Sequence, residues 1–221
     1  MAWNPVNGSA PTDDFNRANG NVGANWTHTR DLAWDATPPQ IVTNAVYGKS
    51  GGTAHYQVIR WDGTGSFSND QYAEGTIVGM AFNGSQWFAG VVVRCSADTD
   101  AAADFIGAYV EDDAASGSSH TVQVVEVVNG SSSSLATITG VAWTNSNKIG
   151  LEVIGSTVKV FKDRVQIGSN YTATLTTGKP GALLSGNGTA LIGLDAIELG
   201  DATSVNGATR AMHHLCQQRI S

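Results

Sequence analysis

The chain has 221 residues, of which 12 are basic and 19 acidic, giving a formal net charge of −7 and a pI near 5.0. Because binding a phosphate backbone needs a basic face, this balance argues against a nucleic-acid partner. No apolar run approaches the roughly 18 residues that a membrane span requires, and 26 glycines favour many turns over long helices.

The N-terminal residues have neither the basic nor the apolar segment of a secretory signal, so we expect a protein that is made in the cytosol and left unprocessed. Residues 1–12 are rich in Pro, Gly, Asn and Ser and are predicted to form an arm. Two cysteines, Cys95 and Cys216, are too few for a disulfide framework and are predicted to be free thiols.

Short β-branched segments bounded by Gly, Asn, Asp or Ser recur roughly every 10–16 residues, a pattern typical of a sandwich or barrel. Nothing resembles a linker that would divide the chain, so one domain is expected. The segments predicted to be strands are 40–47, 54–61, 71–82, 86–95, 104–110, 120–128, 134–140, 148–154, 157–161, 164–167 and 189–199.

The segment 148–168 is predicted to be a three-stranded meander with one buried and one solvated face. Gly155-Ser156 fits a two-residue hairpin with glycine at its first central position, and Lys162-Asp163 is expected to turn the chain again. The segment 120–128 is apolar on both faces, so we expect it inside a sheet.

The C-terminal segment 202–221 has a different character, with two arginines and no acidic residue. Its apolar residues are spaced to form one stripe on a short helix, which would be marginal alone in water. Two alternatives remain open: the tail folds back on its own domain or frays, or it docks on a neighbouring subunit. The candidate docking residues are Arg210, Met212, Leu215, Arg219 and Ile220.

Residues 13–27, DDFNRANGNVGANWT, resemble the first strand and following loop of concanavalin A-like, laminin-G-like jelly-roll domains. The segments that support this resemblance follow in the family's order at 67–78, 88–98, 148–164, 177–184 and 190–201. The resemblance covers residues 13–201 and implies an all-β fold, a single antiparallel β-sandwich of about 11–14 strands. It also implies that the last strand pairs beside the first, with Phe15 in the core and Trp26 covering an edge of it.

The family includes glycosidases, which act through paired carboxylates. Their alternating array of acidic residues on one central strand is missing here, since Glu111-Asp112-Asp113 runs into a loop where adjacent side chains diverge. Asp195 and Glu198 are three apart, so a regular strand would place them on opposite faces. Nucleophile-elbow and phosphate-loop motifs are missing too, and we expect neither an enzyme nor a cofactor.

Among metal ions, calcium is the one that residues in this sequence would suit best. Asp98, Asp100 and Asp104 offer carboxylate oxygens in one loop, but the glycine and terminal glutamate of an EF-hand loop are missing. Solvated loop acids are the simpler interpretation, and no metal site is predicted.

Sugar binding calls for exposed aromatic rings beside polar groups. Trp34, Trp61 (followed by Asp62) and Trp87 stand at segment ends where a rim could expose them, and these four residues are the candidate glycan-binding set. The alternative is burial in the core, the commoner fate of tryptophan in a sandwich.

These observations lead to two functional hypotheses. The first is a non-enzymatic structural protein of a virus particle, of the bacteriophage kind: a capsid decoration or cement protein, or a small tail or fibre component. Assembly in the host cytoplasm followed by lysis would deliver such a sandwich to the virion surface without an export signal. Its partners would be major capsid or tail proteins, further copies of itself and host-surface glycans. The alternative is a stand-alone, lectin-like carbohydrate-binding module.

Overall fold

The computed structural model describes residues 11–31, 38–48, 56–80, 87–97, 103–113, 118–186 and 192–203. These residues contain strands and no helix, and therefore no helix with the length and hydropathy of a membrane span. The strands are β1 (Thr12–Asp13), β2 (Gly20–Asn21), β3 (Trp26–Asp31), β4 (Gln40–Val42), β5 (Ala45–Tyr47), β6 (Gln57–Trp61), β7 (Gln71–Val78), β8 (Phe88–Cys95), β9 (Phe105–Glu111), β10 (Ser119–Val128), β11 (Ser131–Ala142), β12 (Lys148–Ile154), β13 (Thr157–Lys162), β14 (Val165–Thr172), β15 (Lys179–Leu184) and β16 (Gly193–Asp201).

The strands form two antiparallel sheets, which confirms the predicted all-β sandwich. The nine-stranded sheet has the order β14-β13-β12-β7-β16-β5-β4-β2, and β1 also pairs with β16. The seven-stranded sheet has the order β11-β10-β9-β8-β15-β6-β3. The strand number exceeds the prediction because the chain forms two-residue and three-residue strands that have no periodicity to read.

The main core lies between the two sheets. It is built from alternating residues of both, such as Ile77 and Leu151 from the nine-stranded sheet and Val91 from the seven-stranded one, all fully buried. Burying one aliphatic side chain of this size contributes roughly 1.5–3 kcal/mol, so this layer is the main source of stability.

A second apolar layer covers the outer face of the seven-stranded sheet, meaning the face turned away from the main core. Phe88 and Tyr109 pack there with ring centroids 4.2 Å apart, beside Phe105, Val125 and Val127. This layer explains why the 120–128 segment is apolar on both faces. The strand it forms, β10, lies between β11 and β9, inside the sheet as predicted.

The opening stretch has the architectural role that the resemblance implies. Phe15 is fully buried with φ at 50°, and the Trp26 indole is 6% exposed against the core. The Asp13 carboxylate ties the stretch together, because it accepts hydrogen bonds from Arg17 Nη1 at 2.7 Å and from Trp26 Nε1 at 2.7 Å. Arg17 also donates to the Val22 carbonyl.

The first and last strands pair as expected. Thr12 lies opposite Glu198 and Asp13 opposite Ile197, and the Leu199 amide donates to the Pro11 carbonyl at 3.0 Å. β1 and β5 pair with different stretches of β16, so the first and last strands both belong to the nine-stranded sheet.

Two turns differ from the sequence prediction. The predicted strand 40–47 is a hairpin, because Thr43 and Asn44 take φ values of 48° and 62° and reverse the chain between β4 and β5. The second turn of the meander lies at Asp163–Arg164, one residue later than predicted, with φ values of 49° and 66°. Two successive positive φ values characterise a type I′ hairpin turn.

The meander 148–168 is confirmed as β12, β13 and β14, but its predicted solvated face is wrong for β12 and β13. Glu152 is 1% exposed on the face away from the main core, and Lys159 opposite it is 9% exposed. Lys159 Nζ donates to Glu152 Oε1 at 2.7 Å, so a buried ion pair occupies a position that the alternating pattern assigns to solvent.

Candidate functional site

A pocket of about 540 Å³ opens at one end of the sandwich, where β8 ends and β15 begins. We call it the end pocket. Its lining consists of Arg60 of β6, Cys95 at the end of β8, Ser96 and Ala97 after it, Asp104 before β9 and residues 174–179. It adjoins the outer face of the seven-stranded sheet, because Cys95 in its lining also belongs to the second apolar layer.

Two cations and one carboxylate form an ion cluster beside this pocket. Arg60 Nη2 donates to both Asp62 oxygens at 2.7 Å, and Lys179 Nζ donates to Asp62 Oδ1 at 2.9 Å. Burial alone would raise the pKa of Asp62, but hydrogen bonds from Arg60, Thr27 and Lys179 outweigh it and lower the pKa to about 2. Asp62 is therefore a fixed anion at neutral pH.

The loop of residues 173–178 forms one wall of the end pocket and is held from inside by Glu126. Glu126 Oε1 accepts from the Thr174 amide at 2.7 Å, the Thr174 hydroxyl at 3.1 Å and the Leu175 amide at 2.7 Å. Glu126 itself is 6% exposed. Thr176 and Thr177 at the tip are exposed, so the loop presents two hydroxyl groups from a fixed backbone.

Arg94 holds the same loop from the other side. Its guanidinium, 1% exposed, donates to the carbonyls of Leu175 at 2.5 Å, Gly155 at 2.6 Å and Asn69 at 2.8 Å. Burial lowers the pKa of Arg94, and the nearby Asp70 and Glu126 carboxylates oppose that shift. One buried cation therefore joins three separate turns at this end of the sandwich.

Gly178 ends the loop at φ 136°, with its backbone against that of Arg94. A Cβ at this position would lie 2.2 Å from the Arg94 carbonyl carbon, so only glycine fits. The Gly178 carbonyl accepts from Gln71 Nε2 at 2.7 Å. The end pocket therefore has a wall whose backbone is set before any ligand arrives.

Cys95 lies at the base of the end pocket as a free, fully buried thiol, as the cysteine count predicted for it. Its Sγ lies 3.3 Å from Thr29 Oγ1. Burial raises the pKa of Cys95 to about 12, so the group is a neutral thiol at physiological pH and no nucleophile. Cys216 lies outside the described residues.

The structure separates the predicted glycan-binding residues. Trp61 is 6% exposed and packs edge-on against Trp26 with centroids 5.1 Å apart, so its ring faces the main core and offers no stacking platform. Trp87 is half-buried and packs against the same core. Asp62 belongs to the ion cluster beside the end pocket, whereas Trp34 lies outside the described residues.

Other predicted sites can be followed only in part. Asp98 and Asp100 lie outside the described residues, as do the tail residues Arg210, Met212, Leu215, Arg219 and Ile220. Asp104 is described, and its Oδ1 accepts from the Asn129 amide at 2.6 Å, a contact between loops. Across the described ranges no group of three or more His, Cys, Asp or Glu side chains is arranged to hold a metal ion.

A second cleft, of about 370 Å³, lies on the outer face of the nine-stranded sheet and is mainly acidic. Its carboxylates are satisfied from within the protein. Glu74 accepts from Lys148 Nζ at 3.1 Å and Arg164 Nη2 at 2.9 Å, and Glu198 accepts from the Tyr72 hydroxyl at 2.7 Å and Arg164 Nη2 at 3.2 Å. The lining includes Thr12, Asp13, Asp14, Glu74, Thr76, Lys148 and Glu198.

The expected arrangement of Asp195 and Glu198 on opposite faces is wrong. The register of β16 against β7 shifts between Leu194 and Ile197. Leu194 and Ile197 therefore both face the main core, although they are three residues apart. The bulge puts Asp195 on the outer face with Glu198, near Tyr47, whose pKa is raised by burial and by the Asp195 charge.

The Glu111-Asp112-Asp113 side chains diverge, as the sequence suggested. Asp113 Oδ1 lies 3.2 Å from His120 Nδ1, whereas Glu111 hydrogen-bonds Gln123. Burial and the neighbouring Asp113 charge raise the pKa of Glu111. These acids do not converge on one point, as a general acid and base would need to do.

The sequence reasoning missed Arg60, Lys179 and the 173–178 loop. The only signal was the T-G-K-P-G segment, whose glycines and proline indicate a turn but not its surroundings. Asp62 and Lys179 are 117 residues apart, so no local pattern could join them.

No family model matches this sequence, and no curated protein sequence matches it. Among solved structures, the chain is similar to carbohydrate-binding module CBM66 from Bacillus subtilis, with a TM-score of 0.52, 18% identity and coverage of 81% of this chain and 94% of that one. It is also similar to an apo Crh5 transglycosylase, with a TM-score of 0.54, 13% identity and coverage of 92% and 88%. A third is the CBM2 module of an evolved Dit from Lactobacillus casei BL23 phage J-1, with a TM-score of 0.50, 12% identity and coverage of 89% and 96%. The chain therefore has the jelly-roll β-sandwich fold that occurs in carbohydrate-binding modules.

Proposed function

We propose that this protein is a non-enzymatic, lectin-like module that binds a carbohydrate in the end pocket. The observation that carries the proposal is the pre-ordered 173–178 loop, which lines a pocket of about 540 Å³ together with Arg60 and Lys179. Two of the structures similar in fold are carbohydrate-binding modules by name, which supports the ligand class.

The chemistry of the end pocket suits a polyol. Sugar hydroxyls donate and accept at once, and the pocket offers the hydroxyls of Thr176 and Thr177 and two cationic donors, Arg60 and Lys179. Because Glu126 and Arg94 fix the loop, little conformational entropy is lost on binding, which favours affinity for a small ligand. Recognition here would be polar, since no aromatic ring is among the lining residues described.

The absence of catalysis is part of the proposal. Glu74 and Glu198 lie opposite each other on neighbouring strands, and a glycosidase also uses a pair of carboxyl groups. Both accept hydrogen bonds from the Arg164 guanidinium. A glycosidase directs its two carboxyl groups at the substrate, whereas these two are engaged with Arg164.

A glycan array tests the proposal, with wild-type protein and a Thr176→Ala/Thr177→Ala variant. We expect the wild type to bind a restricted set of glycans and the variant to lose at least about tenfold in affinity. Thr172→Ala, an exposed threonine on the edge strand β14, is the matched control and should bind like wild type. Uniform lack of binding by the wild type, or equal binding by the double variant, would refute the proposal.

A second candidate is a role in a virus particle, with the sandwich carried on the surface and the chain ends attaching it. It is favoured by the fold similarity to the CBM2 module of a phage Dit, at a TM-score of 0.50. The 202–221 tail, which is basic on an otherwise acidic chain, is the attachment segment in this proposal. The two functions are compatible, because a particle protein can also bind sugars.

Deletion of residues 203–221 tests this second role. The shortened protein should keep its melting temperature, because β16 ends at Asp201, but should no longer sediment with purified particles. The copy number of the full chain on particles would separate a decoration lattice from a tail component. Normal incorporation of the truncated protein would contradict attachment by the tail.

A further inference from the structure

We infer that the sugar bound in the end pocket carries an oxyanion group, such as a uronic-acid carboxylate or a sulfate, which lies against Lys179 and Arg60. This inference rests on the proposed function and specifies its substrate class.

The first support is the balance of donors and acceptors in the end pocket. Arg60 Nε is buried and has no hydrogen-bond partner, and the Lys179 ammonium has three N–H groups, of which one is given to Asp62. Three of the carboxylate oxygens here already accept hydrogen bonds: both Asp62 oxygens from Arg60, and Asp104 Oδ1 from Asn129. Unused donors on cations favour a ligand rich in acceptors, above all a charged one.

The second support is the position of Asp62. Its carboxylate lies between the two cations and holds both side chains in place, which removes part of the entropy cost of ordering a long lysine and arginine around a ligand. Arg60, Lys179 and Asp62 together carry one net positive charge, and the Asp104 carboxylate belongs to a separate part of the lining, before β9. An incoming oxyanion would complete this group without displacing Asp62.

The third support is the contrast with the acidic cleft on the nine-stranded sheet. There Asp13, Asp14, Glu74 and Glu198 surround a single lining cation, Lys148, so an anionic glycan would be repelled. With a net charge of −7, the protein as a whole also repels an acidic polymer. At about 0.15 M salt the Debye length is roughly 8 Å, so that long-range repulsion is largely screened while contacts inside the end pocket persist.

Calorimetric titration of the intact protein tests the inference with four probes. They are a uronate-containing oligosaccharide, the same oligosaccharide with its carboxyl groups reduced to alcohols, a sulfated neutral-backbone oligosaccharide and the unsulfated backbone. We expect binding of a charged probe and at least about tenfold weaker binding of its uncharged counterpart. The first and third probes distinguish a carboxylate from a sulfate as the preferred group.

Variants locate the contact. Lys179→Gln should weaken the charged probe about tenfold or more, and Lys179→Arg, which keeps the charge, should stay within about threefold of wild type. Lys162→Gln removes the same charge from β13, in the other sheet, and is the control expected to have no effect. Thermal melts confirm that each variant is folded.

The two failures are distinguishable. If neutral glycans bind as well as charged ones and only Thr176→Ala/Thr177→Ala weakens them, the end pocket binds sugar but the inference of an anionic ligand is wrong. If Lys179→Gln leaves the affinity for the charged probe unchanged, the inference is also overturned. If no glycan of any kind binds, both the inference and the proposed function fall.

Discussion

Removing the Glu126 carboxylate should loosen the loop that forms the wall of the end pocket. Glu126 Oε1 receives three hydrogen bonds of 2.7, 3.1 and 2.7 Å from Thr174 and Leu175. A hydrogen bond to a charged group contributes about 1.5–3 kcal/mol, but Thr174 is exposed and water replaces part of what it loses. For Glu126→Ala we therefore expect a loss of about 2–4 kcal/mol in the free energy of unfolding.

The assay combines thermal melting with amide hydrogen exchange. At this chain length a loss of 2–4 kcal/mol lowers Tm by about 5–15 °C. The Thr174 and Leu175 amides should exchange faster than in wild type. The amides of the distant strand β12, which are protected by sheet hydrogen bonds, should keep their wild-type exchange rates. Glu126→Gln keeps an acceptor oxygen without the charge and should cost about half as much. A Glu126→Ala protein with unchanged Tm and unchanged loop exchange would refute the assigned anchoring role.

Three further predictions concern the same fold. Hydrogen bonds lower the pKa of Asp62 to about 2 in the folded protein, so its stabilising contribution is present above the unfolded pKa near 3.9 and is lost as pH falls towards 2. The variant Asp62→Asn should therefore show a smaller decrease of Tm between about pH 4 and 2 than wild type. An equal decrease would contradict the pKa assigned to Asp62. Gly178→Ala should destabilise the protein by about 3 kcal/mol or more in urea titration, since its Cβ would meet the Arg94 backbone at 2.2 Å, and a neutral result would show that the close approach is not real. Val165→Ser, at the first residue of β14, which is 68% exposed, should change the free energy of unfolding by less than about 0.5 kcal/mol, and a larger loss would reveal an unrecognised contact there.

The parts of the fold that could be predicted depend on neighbours in sequence. Phe15, Arg17 and Asp13 lie within four residues of one another, so the opening stretch holds its shape through local contacts. The three strands of the meander could also be predicted, because apolar and polar residues alternate along them and the turns between them are short. Even there, the buried Glu152–Lys159 pair and the position of the second turn needed the structure.

The candidate site could not be predicted, because its contacts join distant parts of the chain. Glu126 and Thr174 are 48 residues apart, and Asp62 and Lys179 are 117 apart. The sequence suggested that tryptophan rings stack on a sugar, but the Trp61 ring packs in the core against Trp26. The predicted face of Asp195 was wrong because a β-bulge in β16 breaks the two-residue alternation of a regular strand.

The central claim, that a carbohydrate binds at the end pocket, is tested most directly by NMR titration of the protein with a glycan found on the array. Signals of the 173–179 segment and of the Arg60 and Lys179 side chains should shift together and saturate at one ligand per chain. Shifts confined to the cleft around Glu74 and Glu198, with the 173–179 segment unchanged, would contradict the claim.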